Sequence, residues 1–294
     1  MRASRGFRPT FTPALRFEPD FPRRAWQWAA RLAASRRRPW ALEGAGAART
    51  PGAGFEFLGY RPYRPGEDVR QVDWDSYARF EMPFVRVLRR EAGERWSVRL
   101  DSSASMGVGD ADAGASKLQR ACEVAFALAL LGVTQGARVE IESGSGRFVA
   151  RKRSDFGAAL AFLSEQRAEG SGGLPRRGAA GATQVFAIGD LFDEVASDVA
   201  PLARRPGCQV SLTRLLAPHE LEAPPDVDAV DWIDPESGAR LEVQLGTRAR
   251  VHFDQLLASE LEGWRTWCVR HRVGFGVASI LERFEPIATA ALGR

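Results

Sequence analysis

Residues 96–106 of this 294-residue chain read Trp-Ser-Val-Arg-Leu-Asp-Ser-Ser-Ala-Ser-Met. The first five predict a β-strand that ends at an acid, Asp101. The pattern Asp-x-Ser-x-Ser that follows sets one carboxylate and two hydroxyls, those of Asp101, Ser103 and Ser105, on one tight loop. All three groups are hard oxygen donors, which suit Mg²⁺ or Mn²⁺ in an octahedral shell that keeps some waters. The segment therefore predicts a strand that carries a candidate cation site at its end.

Outward from this segment, strands and helices alternate along the chain. Strands are predicted at residues 139–142, 184–190, 209–213 and 273–277, and helices at 117–133, 156–166, 194–204, 253–270 and the C-terminal end. A hairpin is predicted around the turn at residues 234–238. Strands that alternate with helices of this length predict an α/β fold, with a mostly parallel, Rossmann-type sheet and helices on both faces.

A second acid ends another predicted strand. Asp190 follows the strand at residues 184–189, and Asp193 lies three residues later. Ligands of open parallel sheets bind outside the carboxyl ends of the strands, and a right-handed doubly wound sheet can bring two such ends to one edge. We therefore add Asp190 to the candidate metal residues.

The region before residue 95 has a different composition and a different pattern of predicted elements. Residues 1–49 are predicted to form a basic arm and a helix, with residues 1–24 irregular and the helix stopped before Pro39. Residues 50–94 are predicted to form a small β-containing subdomain, with strands at 55–61 and 84–89, and residues 95–294 the α/β domain. Because the proline-rich arm has little to bury, we expect deletion of residues 1–24 to leave the fold intact.

The composition excludes several classes of protein. Apolar residues make up 45% and charged residues 27% of the chain, which is not the composition of a disordered protein. The three cysteines are far apart, so they predict neither a disulfide framework nor a paired-cysteine zinc site. No apolar run is long enough to span a bilayer, and we expect a soluble, cytoplasmic protein.

Positive charge is concentrated at the N-terminus. Residues 1–50 carry 11 arginines against three acidic residues, although the whole chain has a net charge of only +4. Such an arm could contact nucleic acid or an anionic membrane. No recognised nucleic-acid module follows it, so we expect instead a solvated or partner-docking arm.

Longer motifs resemble a known family. They are Gly54-Phe55-Glu56-Phe57, Arg61-x-Tyr63, Pro65-Gly66-Glu67-Asp68-x-Arg70, Val72-Asp73-Trp74, Ala78-Arg79 and Arg90-Glu91, then the Asp101 loop, Lys117, Ile188-Gly189-Asp190 and Pro218-His219-Glu220-Leu221. This series resembles the domain-of-unknown-function 58 family (DUF58) over about residues 50–285. The Asp-x-Ser-x-Ser pattern resembles the opening of the metal-ion-dependent adhesion site (MIDAS) of von Willebrand factor A domains.

The resemblance implies a von Willebrand A-like fold and frequent pairing with a MoxR-type AAA+ ATPase. Many members also carry an N-terminal membrane hairpin, which we do not find here. A full adhesion site adds a threonine from a loop between Asp101 and Asp190, where this chain offers Ser171 and Thr183. The resemblance supplies no biochemical activity.

Two features have alternative interpretations. The Asp101 loop could be a capped strand–helix turn without metal, its carboxylate accepting backbone N–H bonds. The charged block from Arg61 to Arg79 could be a recognition surface or an internal salt-bridge network around Tyr63 and Trp74.

We predict a metal-dependent protein–protein interaction module rather than an enzyme. It would be an adaptor for a MoxR-type ATPase, binding a client through an acidic residue. The alternatives are a metal-independent scaffold that binds through the Arg61–Arg79 surface and, more distantly, a Mg²⁺-dependent hydrolase.

Overall fold

A computed structural model describes most of the chain. The described residues are 10–11, 15–35, 55–64, 67–90, 94–110, 114–171, 173–175, 181–190, 195–223 and 229–293. The chain divides into two compact units, of which the larger combines residues 1–37 with 94–294 and the smaller spans residues 38–93.

The helices and strands within the described residues are as follows. The helices are α1 (Phe21–Ser35), α2 (Trp74–Phe80), α3 (Lys117–Thr134), α4 (Phe156–Ser164), α5 (Val195–Ala203), α6 (Pro218–Leu221), α7 (Thr247–His271) and α8 (Phe284–Ala291). The strands are β1 (Thr10–Phe11), β2 (Phe55–Pro62), β3 (Phe84–Arg90), β4 (Arg95–Leu100), β5 (Val108–Asp110), β6 (Ala115–Ser116), β7 (Arg138–Ser143), β8 (Gly146–Ala150), β9 (Gln184–Gly189), β10 (Gln209–Leu216), β11 (Ala229–Ile233), β12 (Arg240–Gln244) and β13 (Gly274–Ser279).

A six-stranded sheet forms the centre of the larger unit. Its strand order is β13-β10-β9-β4-β7-β8. The first five strands are parallel, and β8 pairs antiparallel with β7 at one edge. The chain runs from β4 to β7 and β8 on one side, then returns to β9 on the other side. The junction of β4 and β9 is therefore the topological switch point, where α/β sheets place their ligands.

Each face of this sheet has its own apolar core. On β9, Phe186 and Ile188 belong to one core, whereas Val185 and Ala187 belong to the other, as expected when successive side chains point to opposite faces. Helix α3 is buried along nearly its whole length in the first core, where α1, α4 and α8 pack around it. Residues of α5 and α7 contribute to the second core. The predicted mixed α/β fold with a mostly parallel sheet is confirmed, and it is compatible with a von Willebrand A-like arrangement.

Residues 15–20 lie outside helices and strands, as predicted, but residues 21–24 are helical, and their packing against other elements of the larger unit argues against the expectation that residues 1–24 can be deleted without effect. Helix α1 begins at Phe21, which is 2% exposed and contacts the rings of Phe126 and Phe284. Arg24 pairs with Glu285, and β1 pairs antiparallel with β5. Pro22 does not prevent the helix because it occupies the first turn, where proline is tolerated.

The smaller unit contains the predicted pair of strands. β2 and β3 pair antiparallel with a register shift between Phe57 and Gly59. Helix α2 also lies in this unit, where the sequence pattern predicts no helix. Arg61 Nη1 lies 2.7 Å from Glu67 Oε2, and the Tyr63 hydroxyl donates to the Glu67 carbonyl. An internal ion pair is therefore present in the charged block.

The interpretation of the block as an internal network places Trp74 among packed side chains, but Trp74 is 59% exposed. Exposed apolar side chains also include Val69, Tyr77 and Met82, and the Trp74 and Tyr77 rings meet edge to face. Arg64 and Arg70 are exposed as well, whereas the side chain of Arg79 lies outside what the structure describes.

No helix in the described part of the chain is long and apolar enough to cross a membrane.

Candidate functional site

Asp101 and Asp190 meet at the switch point of the sheet. Each directly follows a central strand, Asp101 after β4 and Asp190 after β9, and these two strands are paired in parallel. The Asp101 N–H donates to the Ile188 carbonyl at 2.9 Å, which extends the pairing to the last residue. Asp101 is 2% exposed and Asp190 is 3% exposed. The sheet thus brings together two buried carboxyl groups that lie 89 positions apart in the chain.

The Asp101 loop presents its oxygen atoms as the spacing predicts. Asp101 Oδ1 accepts from the Ser103 N–H at 2.9 Å, which holds the loop in a turn. The hydroxyls of Ser103 and Ser105 lie 3.0 Å apart. Ser103 is buried and Ser105 is half-buried. The bonds that Ser103 makes to Asp101 belong to the capped-turn interpretation, but a hydroxyl oxygen that donates its hydrogen keeps lone pairs with which it can bind a cation.

The electrostatics of the site are unfavourable for two ionised carboxylates. Burial raises the pKa of Asp101 from 3.8 to about 7, and the negative charge of Asp190 adds to the increase. Hydrogen bonds from Ser103 act in the opposite direction. A cation between the two groups would relieve both penalties, because it compensates the lost hydration and the mutual repulsion.

Lys117, for which no role is predicted from the sequence, completes this charge network. Its Nζ lies 3.0 Å from Asp190 Oδ2 and 2.7 Å from Glu220 Oε1, and its side chain is 0% exposed. Burial alone lowers the pKa of Lys117, but the charges of Glu220 and Asp190 outweigh burial and raise it above the ordinary value. Lys117 is the first residue of α3, and the Ser116 hydroxyl caps this helix by accepting from Gln119 N–H.

Helix α6 provides the third part of the network. Glu220 contacts Lys117 with Oε1, and its Oε2 accepts from the Ala217 N–H at 2.7 Å, which closes the turn at the start of the helix. His219 is buried with its ring 6.0 Å from that of Trp232, and burial lowers the pKa of this imidazole. The motif Pro-His-Glu-Leu therefore acts structurally here, by directing one glutamate toward Lys117.

A glycine permits the close approach of the two strand ends. A Cβ atom on Gly189 would lie 2.5 Å from Asp101 Cβ and 2.9 Å from Asp101 Oδ2. No side chain fits at that distance without moving the Asp101 carboxyl group, so only glycine suits this position.

The two residues considered for a third loop have different positions. Thr183 lies at the opposite end of the sheet, where its hydroxyl bonds to the backbone of Arg95 at the start of β4, so it cannot join the site. The Gly170 carbonyl accepts from Ala104 N–H at 2.9 Å, which brings the segment before Ser171 against the Asp101 loop. Among the described residues no hydrogen bond joins Ser171 to the Asp101 loop, and Asp193 lies outside them.

The donor set fits a hard divalent cation. Two carboxyl groups and two hydroxyls converge, and oxygen donors with some retained waters are what Mg²⁺ and Mn²⁺ accept. In the described part of the chain no group of three or more His, Cys, Asp or Glu side chains is placed to hold a metal. A cation here would therefore depend on the serine hydroxyls and on water. One oxygen of Asp190 is already engaged by Lys117.

Comparison with known proteins identifies one matching family. No curated protein and no solved structure matches the chain significantly. The family model described as "Protein of unknown function DUF58" matches residues 59–262, which is more than half of the chain. The matched range contains the Asp101 loop, Lys117, Asp190 and the Pro-His-Glu-Leu motif. The chain therefore belongs to the DUF58 family.

Proposed function

We propose that this protein is a protein-interaction module that depends on a divalent cation, Mg²⁺ or Mn²⁺. The observation that carries the proposal is the convergence of Asp101 and Asp190, both buried, with Ser103 and Ser105 at the switch point of the sheet. These four residues would hold the cation. When bound, the cation would supply a coordination position that the carboxylate of a partner can fill.

The surroundings of the site favour binding of a charged group. The buried carboxylates exclude water from one side of the site, so an incoming charge is screened less than on an open surface. Ser105 is half-buried and marks the side from which a partner can approach. We therefore propose a binding site and not an active site.

The proposed partner is a MoxR-type AAA+ ATPase, with a client protein that presents an acidic residue. The ATPase comes from the family resemblance, and the acidic residue comes from the chemistry of an open cation position. Together they describe an adaptor that helps the ATPase to assemble or remodel its client.

The test is binding of the purified protein to a MoxR-type AAA+ ATPase and to candidate clients in the presence of Mg²⁺. Chelation and Asp101→Ala should weaken binding to the same extent, because both remove the charge that receives the carboxylate. Moderate salt should have a smaller effect. Asp254→Ala, at an exposed aspartate of α7, is the matched control. Binding that is unaffected by chelation and by Asp101→Ala would refute the proposal.

A second candidate is a metal-independent scaffold that binds partners through the smaller unit. The exposed Trp74, with Val69, Tyr77 and Met82, favours this candidate because large exposed apolar residues frequently mark interaction surfaces. Arg64→Glu tests the charged part of this surface better than Arg61→Glu, because Arg61 is already paired with Glu67. Binding that survives chelation but is lost in Trp74→Ala and Arg64→Glu would support the scaffold.

A further inference from the structure

Lysine is a rare residue in this chain. Of the 41 basic residues, only Lys117 and Lys152 are lysines, and all the others are arginines. Lys152 is exposed, whereas the Lys117 side chain is 0% exposed. A lysine ammonium is a compact charge at the end of a flexible stem, whereas the arginine guanidinium is a broad planar fork. The buried position thus takes the basic residue whose charge can lie between two carboxylates from different elements.

Lys117 connects three elements that surround the candidate metal site. Its ammonium at the start of α3 lies 3.0 Å from Asp190 Oδ2, after β9, and 2.7 Å from Glu220 Oε1, in α6. With Asp101, the network contains three carboxyl groups and one ammonium group. A bound divalent cation would balance the two remaining negative charges.

We propose that Lys117 is a positioning residue that serves as a resident cation. It holds Asp190 and α6 in place when no metal is bound, and it lowers the affinity of the site for a divalent cation by competing for the Asp190 carboxylate. The inference rests on the proposed function, in which Asp101, Ser103, Ser105 and Asp190 hold that cation.

Two physical effects lead to this inference. The ammonium already occupies one Asp190 oxygen, so a divalent cation has a single oxygen of this residue to bind. A cation at the remaining oxygen would also lie close to the positive charge of Lys117, and the low exposure of both side chains leaves little water to screen the repulsion. Without Lys117, the same carboxylates would be buried and uncompensated until a divalent cation bound.

The experiment compares wild type with Lys117→Met, which keeps most of the side-chain length and removes the charge. Lys152→Met is the matched control, because it removes the other, exposed lysine. Mg²⁺ binding is measured by calorimetry, and thermal unfolding is followed with EDTA and with saturating Mg²⁺. The ¹⁵N signals of the two lysine ammonium groups are followed during Mg²⁺ titration and assigned by their loss in each variant.

We expect Lys117→Met to lower the melting temperature in EDTA, to recover much of that loss in Mg²⁺, and to bind Mg²⁺ at least about tenfold more tightly. In wild type, Mg²⁺ should shift the Lys117 ammonium signal and not that of Lys152. Lys152→Met should match wild type in affinity and in melting temperature. Glu220→Gln is the second variant: it leaves Lys117 with Asp190 as its remaining partner in the network, so Mg²⁺ affinity should fall.

Different experimental results would refute this inference and the proposed function. Mg²⁺ binding that is lost in Asp101→Ala, but has equal affinity in wild type, Lys117→Met and Glu220→Gln, would overturn the inference alone. A melting temperature of Lys117→Met that falls equally with and without Mg²⁺ would also overturn it, since that is the result of a purely structural role. The absence of Mg²⁺ binding in wild type and in all variants would overturn both.

Discussion

Replacement of Asp101 by asparagine should stabilise the metal-free protein at neutral and alkaline pH. Asparagine retains the side-chain oxygen that accepts from Ser103 N–H, and its amide can donate toward the Asp190 carboxylate. It removes the buried negative charge that the site holds without metal. We therefore expect a variant that loses cation binding and gains stability, as is common when a functional site carries unfavourable charge.

The size and pH dependence of this effect follow from the pKa of Asp101. In the unfolded chain the carboxyl ionises near 3.8, whereas in the folded protein its pKa is about 7. The folded state thus binds this proton more tightly, so the associated stability is fully present below about pH 4 and is lost as the pH rises to about 7. The difference corresponds to about 4 kcal/mol, and we expect a gain of about 2 to 4 kcal/mol for Asp101→Asn at pH 8.

Urea unfolding in the presence of EDTA, at several pH values from 4 to 8, measures this gain. The free energies of unfolding of wild type and Asp101→Asn should be similar near pH 4, diverge up to about pH 7 and run parallel above it. Asp254→Asn, at an exposed position of α7, should follow wild type throughout. A difference between wild type and Asp101→Asn that does not change with pH would refute the electrostatic argument, as would destabilisation at pH 8.

Two further predictions concern packing. Phe21→Ala should lower the free energy of unfolding in urea by about 3 to 4 kcal/mol, because this ring is 2% exposed and packs among Phe17, Phe126 and Phe284. A decrease below about 1 kcal/mol would support the interpretation of a dispensable arm. Gly189→Ala should cost about 1 to 3 kcal/mol and abolish Mg²⁺ binding in calorimetry, because its Cβ would meet Asp101 Cβ at 2.5 Å. Gly276→Ala is its control, since no atom lies within 4 Å of the added Cβ; equal behaviour of the two variants would contradict the role of Gly189.

The central sheet could be predicted from sequence because its strands are short apolar runs between clear helical segments. The segments at residues 96–100, 184–189 and 209–213 all lie within strands of the sheet. Strand β8 and helix α2 were missed. Only Ala150 of the five residues of β8 is buried, and α2 is a helix of seven residues with Trp74 exposed, so neither has the apolar periodicity from which an element is recognised.

The N-terminal error has a different origin. Prolines and arginines are typical of irregular segments. The aromatic residues that lie among them, Phe17, Phe21 and Trp28, nevertheless pack in the core around α3. Their partner Phe284 lies more than 250 residues away in sequence, and no local pattern reveals such a contact. In this segment the tertiary contacts, and not the local composition, determine the structure.

Half of the site could be predicted, and the other half could not. Asp101, Ser103, Ser105 and Asp190 follow strands, so their shared edge was predictable from topology. The ion pairs of Lys117 with Asp190 and Glu220 join residues 73 and 103 positions apart, which only the folded chain shows. The sequence did contain two signals for Lys117, namely the rarity of lysine and its place among the motifs that resemble the family. Thr183 was a candidate for the third-loop threonine because it lies in a loop between Asp101 and Asp190. It lies at the amino end of β9, however, away from the carboxyl ends of the strands that form the site.

The most direct test of the account is a calorimetric titration of wild type and Asp101→Ala with Mg²⁺ and with Mn²⁺, after dialysis against a chelator and its removal. We expect one site per chain in wild type, no binding heat in Asp101→Ala and weaker binding in Ser103→Ala, because these oxygen donors and Asp190 would hold the cation. The same binding heats in wild type and Asp101→Ala would contradict it, and the Asp101 loop would then be a structural turn.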